Sequence, residues 1–248
     1  MILGISGKKQ AGKTTIANII HGEILLKNNM VGDYNVDQNG KLLVKTYNSQ
    51  GKEGWGQFDI ERKDEQFIEY AHYNMWPHVK LYNFADSLKD MCINLFGFTY
   101  EQAYGTNEQK DQKLKHLLWK NMPRGKVSRK APKGEMSARE FMQFFGTEVM
   151  RKMHSDVWAN ACLNKIIKEG SDFAIIADVR FPNEVEAINK AGGKVLRLER
   201  NVHDDKHDSE TALDADNYDH GNFWHVLDNS KIDIGQTIVE VKSLLERV

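Results

Sequence analysis

The chain opens with an apolar run that leads directly into a glycine-rich turn and then into a helical pattern. The turn, from Gly7 to Thr14, has the sequence GKKQAGKT and fits the pattern G-x-x-x-x-G-K-[ST]. Apolar residues follow at helical spacing from Ile16 to Ile20. A strand, a tight loop and a helix in direct succession are typical of a loop whose backbone N–H groups surround a phosphate.

Each position of this loop has a predicted part in binding the phosphates of ATP. Glycines let the backbone curl inward, and the helix dipole adds positive potential at the same point. Lys13 would bridge the β- and γ-phosphates, and the Thr14 hydroxyl would bind Mg²⁺. The predicted ATP-binding residues are Gly7, Lys8, Gln10, Ala11, Gly12, Lys13, Thr14 and Thr15. A chance glycine-rich turn is the alternative, and the motif alone leaves the reaction open.

Composition limits the class of protein further. The 248 residues carry a formal net charge of −1, which gives no general attraction to nucleic acid or membrane. This length predicts one α/β domain over residues 1–248. Cys92 and Cys162 form no close pair in the sequence and indicate reduced thiols. No apolar run approaches the roughly 20 residues of a membrane-spanning helix. We therefore expect a soluble, cytoplasmic protein.

Strands and helices alternate along the chain, which predicts a three-layer α/β fold with a mostly parallel sheet and helices on both faces. A continuous apolar run at 173–177 indicates a strand that is covered on both sides, and 194–198 and 225–227 predict later strands. Four further helices are predicted. The first follows Phe84 and ends at Gly97, and its apolar face consists of Leu88, Met91, Cys92, Leu95 and Phe96. The second runs from the capping box Ser137–Glu140 through Val149, and the other two span 184–191 and 234–245.

Two segments depart from this alternation. Residues 33–75 are interrupted by turn residues and predict a hairpin-like insertion with short strands at 42–44 and 58–60. Residues 107–133 carry nine Lys or Arg against two acids and contain prolines and glycines. We interpret this basic segment as a lid that closes over a phosphoryl-transfer site. A solvated arm and a nucleic-acid-binding arm are the alternatives.

Asp178 and Arg180 follow the buried strand 173–177. Ligands of an open parallel sheet bind beyond the carboxyl ends of its strands, so both side chains are expected beside the phosphate loop. Asp178 would hold a water of Mg²⁺, and Arg180 would bind a phosphate with two hydrogen bonds. A strand-end turn with a surface arginine is the alternative. Asn183 and Glu184 either cap the next helix or contact a substrate.

Two other features carry open alternatives. His203 and His207 lie among the acids Asp204, Asp205 and Asp208, and we favour a polar loop over a metal site because no helical pattern surrounds them. Trp158 follows an N-cap signal at Ser155-Asp156, and it either packs in the core or stacks on a base.

Five motifs, taken in order, resemble the phage-type deoxynucleoside monophosphate kinases. They are GKKQAGKT at 7–14, FMQFFGTE at 141–148, DVW at 156–158, IADVR at 176–180 and HDSE at 207–210. The resemblance covers the start of the chain and most of 80–248, whereas 33–75 matches nothing in the family pattern. It implies transfer of the γ-phosphoryl group of ATP to the 5′-phosphate of a deoxynucleoside monophosphate (dNMP), with Mg²⁺, giving dNDP and ADP.

Together with the motifs, the resemblance implies a set of site residues. The catalytic residues would be Lys9, Lys13, Asp178 and Arg180. The metal would be held by Thr14 and, through water, by Asp178. The dNMP would be bound by Lys9, Phe84, Ala85, Lys89, Lys110, Arg139, Gln143, Thr147, Glu148, Trp158, Arg180 and Glu210.

Two rival functions remain open on the sequence. One is a P-loop kinase that acts on another small molecule, and the other is a P-loop ATPase module that acts on nucleic acid. The near-neutral net charge argues against the second. We expect ATP and a dNMP as partners and neither a membrane nor nucleic acid. The oligomeric state stays open, a homodimer included.

Overall fold

The computed structural model describes residues 1–47, 50–62, 64–123, 133–200 and 208–248. The strands are β1 (Ile2–Ser6), β2 (Asp33–Val36), β3 (Leu42–Tyr47), β4 (Glu53–Phe58), β5 (Val79–Tyr82), β6 (Lys113–Leu118), β7 (Glu135–Ser137), β8 (Phe173–Val179), β9 (Lys194–Leu198) and β10 (His225–Leu227). The α-helices are α1 (Lys13–Lys27), α2 (Glu65–Asn74), α3 (Asp86–Phe96), α4 (Tyr100–Tyr104), α5 (Asn107–Lys110), α6 (Ala138–Gln143), α7 (Val157–Glu169), α8 (Pro182–Lys190), α9 (Asp208–Thr211) and α10 (Ile234–Leu245).

The chain divides into two compact units. The sheet unit contains Met1–Asn83 and Cys162–Val248, and the inserted unit contains Phe84–Ala161. The inserted unit therefore interrupts the sheet unit in sequence, between β5 and β8. The single domain expected over residues 1–248 stays a prediction.

The sheet unit is built on five parallel strands in the order β10-β9-β1-β8-β5. β1 is central, and Leu3 is aligned with Ile175 of β8 and with Lys194 of β9. The strands predicted at 173–177, 194–198 and 225–227 are confirmed, and β8 extends two residues further, to Val179. The short edge strand β5 was not predicted.

Helices cover both faces of this sheet, as predicted. Adjacent residues of a strand point to opposite faces. Leu3 and Ile5 belong to one apolar core with residues of α1 and α10. Gly4, between them, faces α8, where an added Cβ would lie 2.7 Å from Ile188 Cδ1. The predicted α/β fold with a parallel sheet between helices is therefore confirmed.

The insertion at 33–75 folds as an antiparallel sheet, β2-β3-β4, followed by α2. It covers the outer side of α1, and an added Cβ at Gly22 would lie 2.4 Å from the Tyr34 ring. The turn between β2 and β3 reaches the start of α1, where Asn18 Nδ2 donates to Gly40 O at 2.7 Å. This cover explains why α1 is buried on nearly all sides.

One of the two strands predicted in this insertion is wrong. The strand at 42–44 is confirmed within β3, but 58–60 forms no strand, because β4 ends at Phe58. Asp59 starts a turn instead: its carboxylate accepts from Glu61 N at 2.9 Å, and its carbonyl accepts from Arg62 N at 3.1 Å. An aspartate that binds the backbone two residues ahead favours a turn over a ladder.

The inserted unit has its own apolar core. Its centre includes Cys92, Leu114, Met136 and Phe141. The capping box Ser137–Glu140 is confirmed, and the helix that it opens continues past α6 as a π-helical segment, Phe144–Arg151. α3 ends at Gly97 as predicted, with φ at 68°. Leu95 was predicted on its apolar face but is 67% exposed, so that part of the prediction is wrong.

Part of the basic segment 107–133 is ordered structure. It contains α5 and β6, and β6 pairs with β7. Residues 124–132 lie outside the described residues, and the lid stays a prediction. His203 and His207 also lie outside them, together with Asp204 and Asp205. Within the described part of the chain, no helix is long and apolar enough to cross a membrane.

Candidate active site

The phosphate loop joins the end of β1 to the start of α1. Gly12 precedes the helix with φ at 97°, a left-handed conformation that glycine adopts without strain. The Lys13 side chain folds back over the loop, and its Nζ donates to the carbonyls of Gly7 (2.7 Å) and Lys8 (2.8 Å). Because an ammonium has three donors, one N–H of Lys13 remains for a ligand.

The surroundings of Lys13 favour the neutral form of its side chain. The pKa of Lys13 is lowered to about 8, mainly by burial and next by the Arg180 charge; Arg197 also lowers it, while Glu210 and Asp178 oppose the shift. The charges of Asp178 and Arg180, predicted from the end of β8, act on the loop lysine. Their roles in one site with Lys13 stay predictions.

Arg180 is positioned by the turn that follows β8. The Glu184 carboxylate accepts from the backbone N–H groups of Arg180 (2.8 Å) and Phe181 (3.1 Å), which supports the capping alternative for Glu184. The Arg180 guanidinium pairs with the Glu210 carboxylate. Glu210 also accepts from the backbone N–H of Lys9 at 2.6 Å. Glu210 thus joins two groups that were predicted to bind phosphate.

A second carboxylate reaches the loop from the same connection between β9 and β10. Asp214 pairs with Lys8 Nζ at 2.9 Å and with Arg197 Nη2 at 3.2 Å. Arg197 is 6% exposed, and its Nη1 donates to Ser6 Oγ at 3.1 Å. The sequence patterns did not predict this network. A charged residue within the apolar strand β9 was the available signal.

Asn229 follows β10 and binds the phosphate loop from a distant part of the sequence. It is buried, and its Nδ2 donates to Ala11 O at 2.8 Å. An added Cβ at Gly12 would lie 3.1 Å from that same nitrogen. Asn229 was not predicted from the sequence either. Its hydrogen bond to the carbonyl of a loop residue helps to fix the shape of the loop.

A cavity of about 440 Å³ opens beside Lys8 in the sheet unit. Its lining includes Lys8, Arg197, Arg200, His220, Asp228 and Ser230. Most of these residues follow β9 or β10, so the cavity lies beyond the carboxyl ends of these strands, where ligands of open parallel sheets bind. Volumes of about 300–1,000 Å³ are typical of small-molecule sites.

The residues predicted for Mg²⁺ are Thr14 and Asp178. Thr14 is exposed at the start of α1, and Asp178 lies near enough to influence the pKa of Lys13. Among the described residues, no group of three or more His, Cys, Asp or Glu side chains is arranged to hold a metal. Mg²⁺ in phosphate sites keeps several waters and uses one or two protein ligands with the substrate phosphates. The two residues therefore fit a nucleotide-bound Mg²⁺ and do not form an all-protein site.

Most residues predicted for the acceptor nucleotide lie in the inserted unit. Lys89, Arg139 and Glu148 of this unit contact other side chains. Lys89 Nζ lies 4.5 Å from the centre of the Tyr104 ring, and Arg139 donates to Asp111 and to Asn107, both at 2.7 Å. Glu148 pairs with Lys152 one turn along the helix.

Trp158 is 4% exposed, and its Nε1 donates to Gly146 O at 3.2 Å. These contacts support the packing alternative over base stacking. Phe84 is also buried, whereas Gln143 and Thr147 are exposed on consecutive helical turns. The remaining predicted residues are Ala85, which precedes α3, and Lys110, at the end of α5. The roles of all these residues toward a dNMP stay predictions.

A parallel five-stranded sheet between helices, with a lysine-bearing phosphate loop after its central strand, is typical of the P-loop kinase class. Comparison with known proteins specifies the family. Residues 1–231 match the model of the deoxynucleotide monophosphate kinase family. The chain belongs to this family, as its motifs predicted.

Two relatives agree with this assignment. The chain is 29% identical over 145 residues to a protein of Acanthamoeba polyphaga mimivirus that is provisionally named a deoxynucleotide monophosphate kinase; the match covers 53% of this chain and 67% of the relative. It is 39% identical over 56 residues to the deoxynucleoside-5′-monophosphate kinase of Escherichia phage T5, which covers 22% of each chain.

Proposed function

We propose that the protein transfers the γ-phosphoryl group of ATP to the 5′-phosphate of a dNMP, giving dNDP and ADP. The observation that carries this proposal is the link between the phosphate loop and Arg180, because Glu210 contacts both Lys9 N and the Arg180 guanidinium. The charges of Asp178 and Arg180 also act on Lys13. Lys13, Asp178 and Arg180 are a phosphate-binding cation, a carboxylate and a second cation. Membership of the deoxynucleotide monophosphate kinase family supports a dNMP as the acceptor.

The donor is proposed to bind along the phosphate loop, with its nucleoside in the cavity beside Lys8. The loop N–H groups and the remaining N–H of Lys13 would bind the β- and γ-phosphates. The cavity lies next to the loop and has both polar and apolar walls, such as Ser230 and Leu198. These features suit a base and a sugar whose phosphates enter the loop.

The acceptor is proposed to present its phosphate to Arg180 and Lys9. The family resemblance implies that Lys89 and Arg139, of the inserted unit, contact the dNMP, and these roles stay predictions. A phosphate oxygen is already an anion, so the reaction requires no strong general base. Catalysis then consists of positioning the two phosphates and neutralising the charge between them.

Thr14 and, through water, Asp178 would hold Mg²⁺. When bound, this ion neutralises charge on the β- and γ-phosphates. Lys13 and Arg180 supply positive charge that does not depend on the ion. The oligomeric state stays open, a homodimer included, and sedimentation equilibrium would measure it. The proposal also includes action in the cytoplasm of an infected cell, which the viral origin of both relatives supports.

An assay of ADP release tests the proposed function. With ATP and Mg²⁺ present, we expect release to depend on an added dNMP, and we would compare the four dNMPs with the corresponding NMPs. Lys13→Ala should reduce turnover by about 10²-fold or more, because it removes a contact to the transferred group. Lys27→Ala, at the exposed end of α1, is the control. Release that DNA stimulates and dNMPs do not would support the nucleic-acid ATPase instead.

A further inference from the structure

Glu210 lies at the centre of the groups that are proposed to bind phosphate. Its side chain is only 7% exposed. One carboxylate oxygen accepts from Lys9 N at 2.6 Å, and the other pairs with the Arg180 guanidinium. Its charge also acts on Lys13. The two oxygens of Glu210 therefore contact a loop amide and an arginine, and its negative charge also acts on the loop lysine.

These are the contacts that a phosphate group would make at the same place. Phosphates and carboxylates both accept hydrogen bonds from guanidinium groups and from backbone N–H groups of such loops. The Lys9 amide has a single hydrogen, so it cannot donate fully to Glu210 and to a phosphate at once. Arg180 has five donors, but its paired edge is also taken.

We propose that Glu210 is an internal anion that occupies a phosphate position, and that a phosphate group of the nucleotide displaces it from Lys9 and Arg180. This inference rests on the proposed function for the identity of the nucleotide. A phosphate can bind only the fraction of molecules in which Glu210 has left the position, so the apparent affinity equals the intrinsic affinity multiplied by that fraction. A small anion such as inorganic pyrophosphate has few other contacts to offset this loss, whereas a nucleotide has many. Glu210 would thus keep free phosphates, whose affinity is already low, from occupying the position.

Two other roles for Glu210 predict a different result. If Glu210 only positions Arg180, its removal should weaken the binding of phosphates. If Glu210 contacts the dNMP directly, as the family resemblance implies, its removal should weaken dNMP binding and leave pyrophosphate binding unchanged. Of these three roles, displacement is the one that predicts tighter pyrophosphate binding, and Glu210→Asp, which keeps the charge, separates displacement from a simple loss of charge.

Isothermal titration of the full chain with pyrophosphate tests the proposal. We expect Glu210→Gln to bind pyrophosphate about tenfold more tightly than the parent, because the amide keeps the shape but loses the competing charge. Glu186→Gln is the matched control, since it removes one negative charge at an exposed helix position paired with Lys190. It should change the affinity less than about twofold. Unchanged or weaker binding by Glu210→Gln would overturn the proposal.

A second variant covers the case in which Glu210→Gln does not fold. Glu210→Asp keeps the charge but withdraws the carboxylate by about 1.5 Å, one carbon–carbon bond. It should also bind pyrophosphate more tightly, and equal or weaker binding would reject displacement. Pyrophosphate binding does not require turnover. A parent protein that binds pyrophosphate but releases no ADP with any dNMP would therefore refute the proposed function and leave the test of Glu210 intact.

Discussion

The Lys13 ammonium is the group whose ionisation should control donor binding. Burial, and after it the Arg180 charge, lowers the pKa of Lys13 to about 8. Lys13 is charged below that pH and neutral above it, so attraction to the phosphates is present below pH 8 and lost as the pH rises through it. We expect kcat/KM for ATP to fall above about pH 8, because this ratio reports ionisations of the free enzyme.

The Lys13→Arg variant distinguishes the ionisation of Lys13 from that of other titrating groups. A guanidinium stays charged across the accessible pH range, so the fall above about pH 8 should disappear even if turnover is lower. A kcat/KM that stays level to about pH 10 in the parent protein would contradict the assignment to Lys13.

Asp178 is the residue that should link activity to Mg²⁺. Asp178→Asn keeps the shape of the side chain but loses the charge that would orient a water of the ion. We expect a lower kcat and a higher Mg²⁺ concentration for half-maximal activity. An unchanged Mg²⁺ titration curve would make Asp178 a structural residue of the strand end.

His21 is a buried residue of α1 that makes the fold sensitive to acid. It is 2% exposed, and neither ring nitrogen has a hydrogen-bond partner among the residues that the structure describes. Burial lowers its pKa to about 3. The contribution of neutral His21 to the free energy of unfolding is therefore fully present above pH 6.5. It falls by about 1.4 kcal/mol per pH unit as the pH decreases toward 3.

Urea unfolding between about pH 7 and about pH 4 tests this acid sensitivity. His21→Met, which fills a similar volume without a titrating group, should lose less stability over this range than the parent. His72→Met removes an exposed histidine and is the control. If the free energy of unfolding depends on pH in the same way for the parent and His21→Met, His21 does not cause the acid sensitivity.

At the scale of elements, the β2–β3 turn supports the start of α1. Gly40 has φ at 79°, and an added Cβ would lie 2.2 Å from Thr15 Oγ1. Gly51 also has a positive φ, of 74°, but an added Cβ there meets no atom within 4 Å among the described residues. The two positions would therefore impose the same backbone strain on an alanine and differ in their contacts.

Gly40→Ala and Gly51→Ala form a matched pair. Both variants should lose about 1–2 kcal/mol through strain of the left-handed backbone. Gly40→Ala should lose about 1–3 kcal/mol more from overpacking against Thr15, and it should raise KM for ATP more than KM for dNMP. Chemical denaturation and initial rates measure the two effects. Equal stabilities of the two variants would mean that the turn does not brace α1.

The elements that sequence patterns predicted are those with strong local signals. Apolar runs predicted β1, β8, β9 and β10, and the glycine-rich motif placed Lys13 at the start of α1. β5 has only four residues at the sheet edge, and β4 is largely exposed, so neither has a marked pattern. The partners of the loop are a different case. Asn229 and Ala11 lie 218 residues apart, and only the fold brings them together.

At the scale of the whole molecule, the basic segment 107–133 remains our proposed lid. It contains many lysines and arginines, so limited trypsin digestion reports its accessibility. Cleavage there should be fast in the free protein and slow with an analogue that joins adenosine to a deoxynucleoside through a phosphate chain. Lys13→Ala with the same analogue is the control, and it should be cleaved fast. Equal rates in the parent with and without analogue would reject the lid, and protection by DNA would favour the nucleic-acid arm.

The order of strands in the sheet has a consequence for how the protein is made. β1 leaves the ribosome well before its two neighbours, β8 and β9, which begin at residues 173 and 194. Pairings so distant in sequence form slowly, and apolar strands that wait for them are prone to aggregate. The nascent chain therefore carries the complete phosphate-binding motif long before the motif has a sheet to shape it, and nucleotides can stabilise this fold only after β8 and β9 have been made.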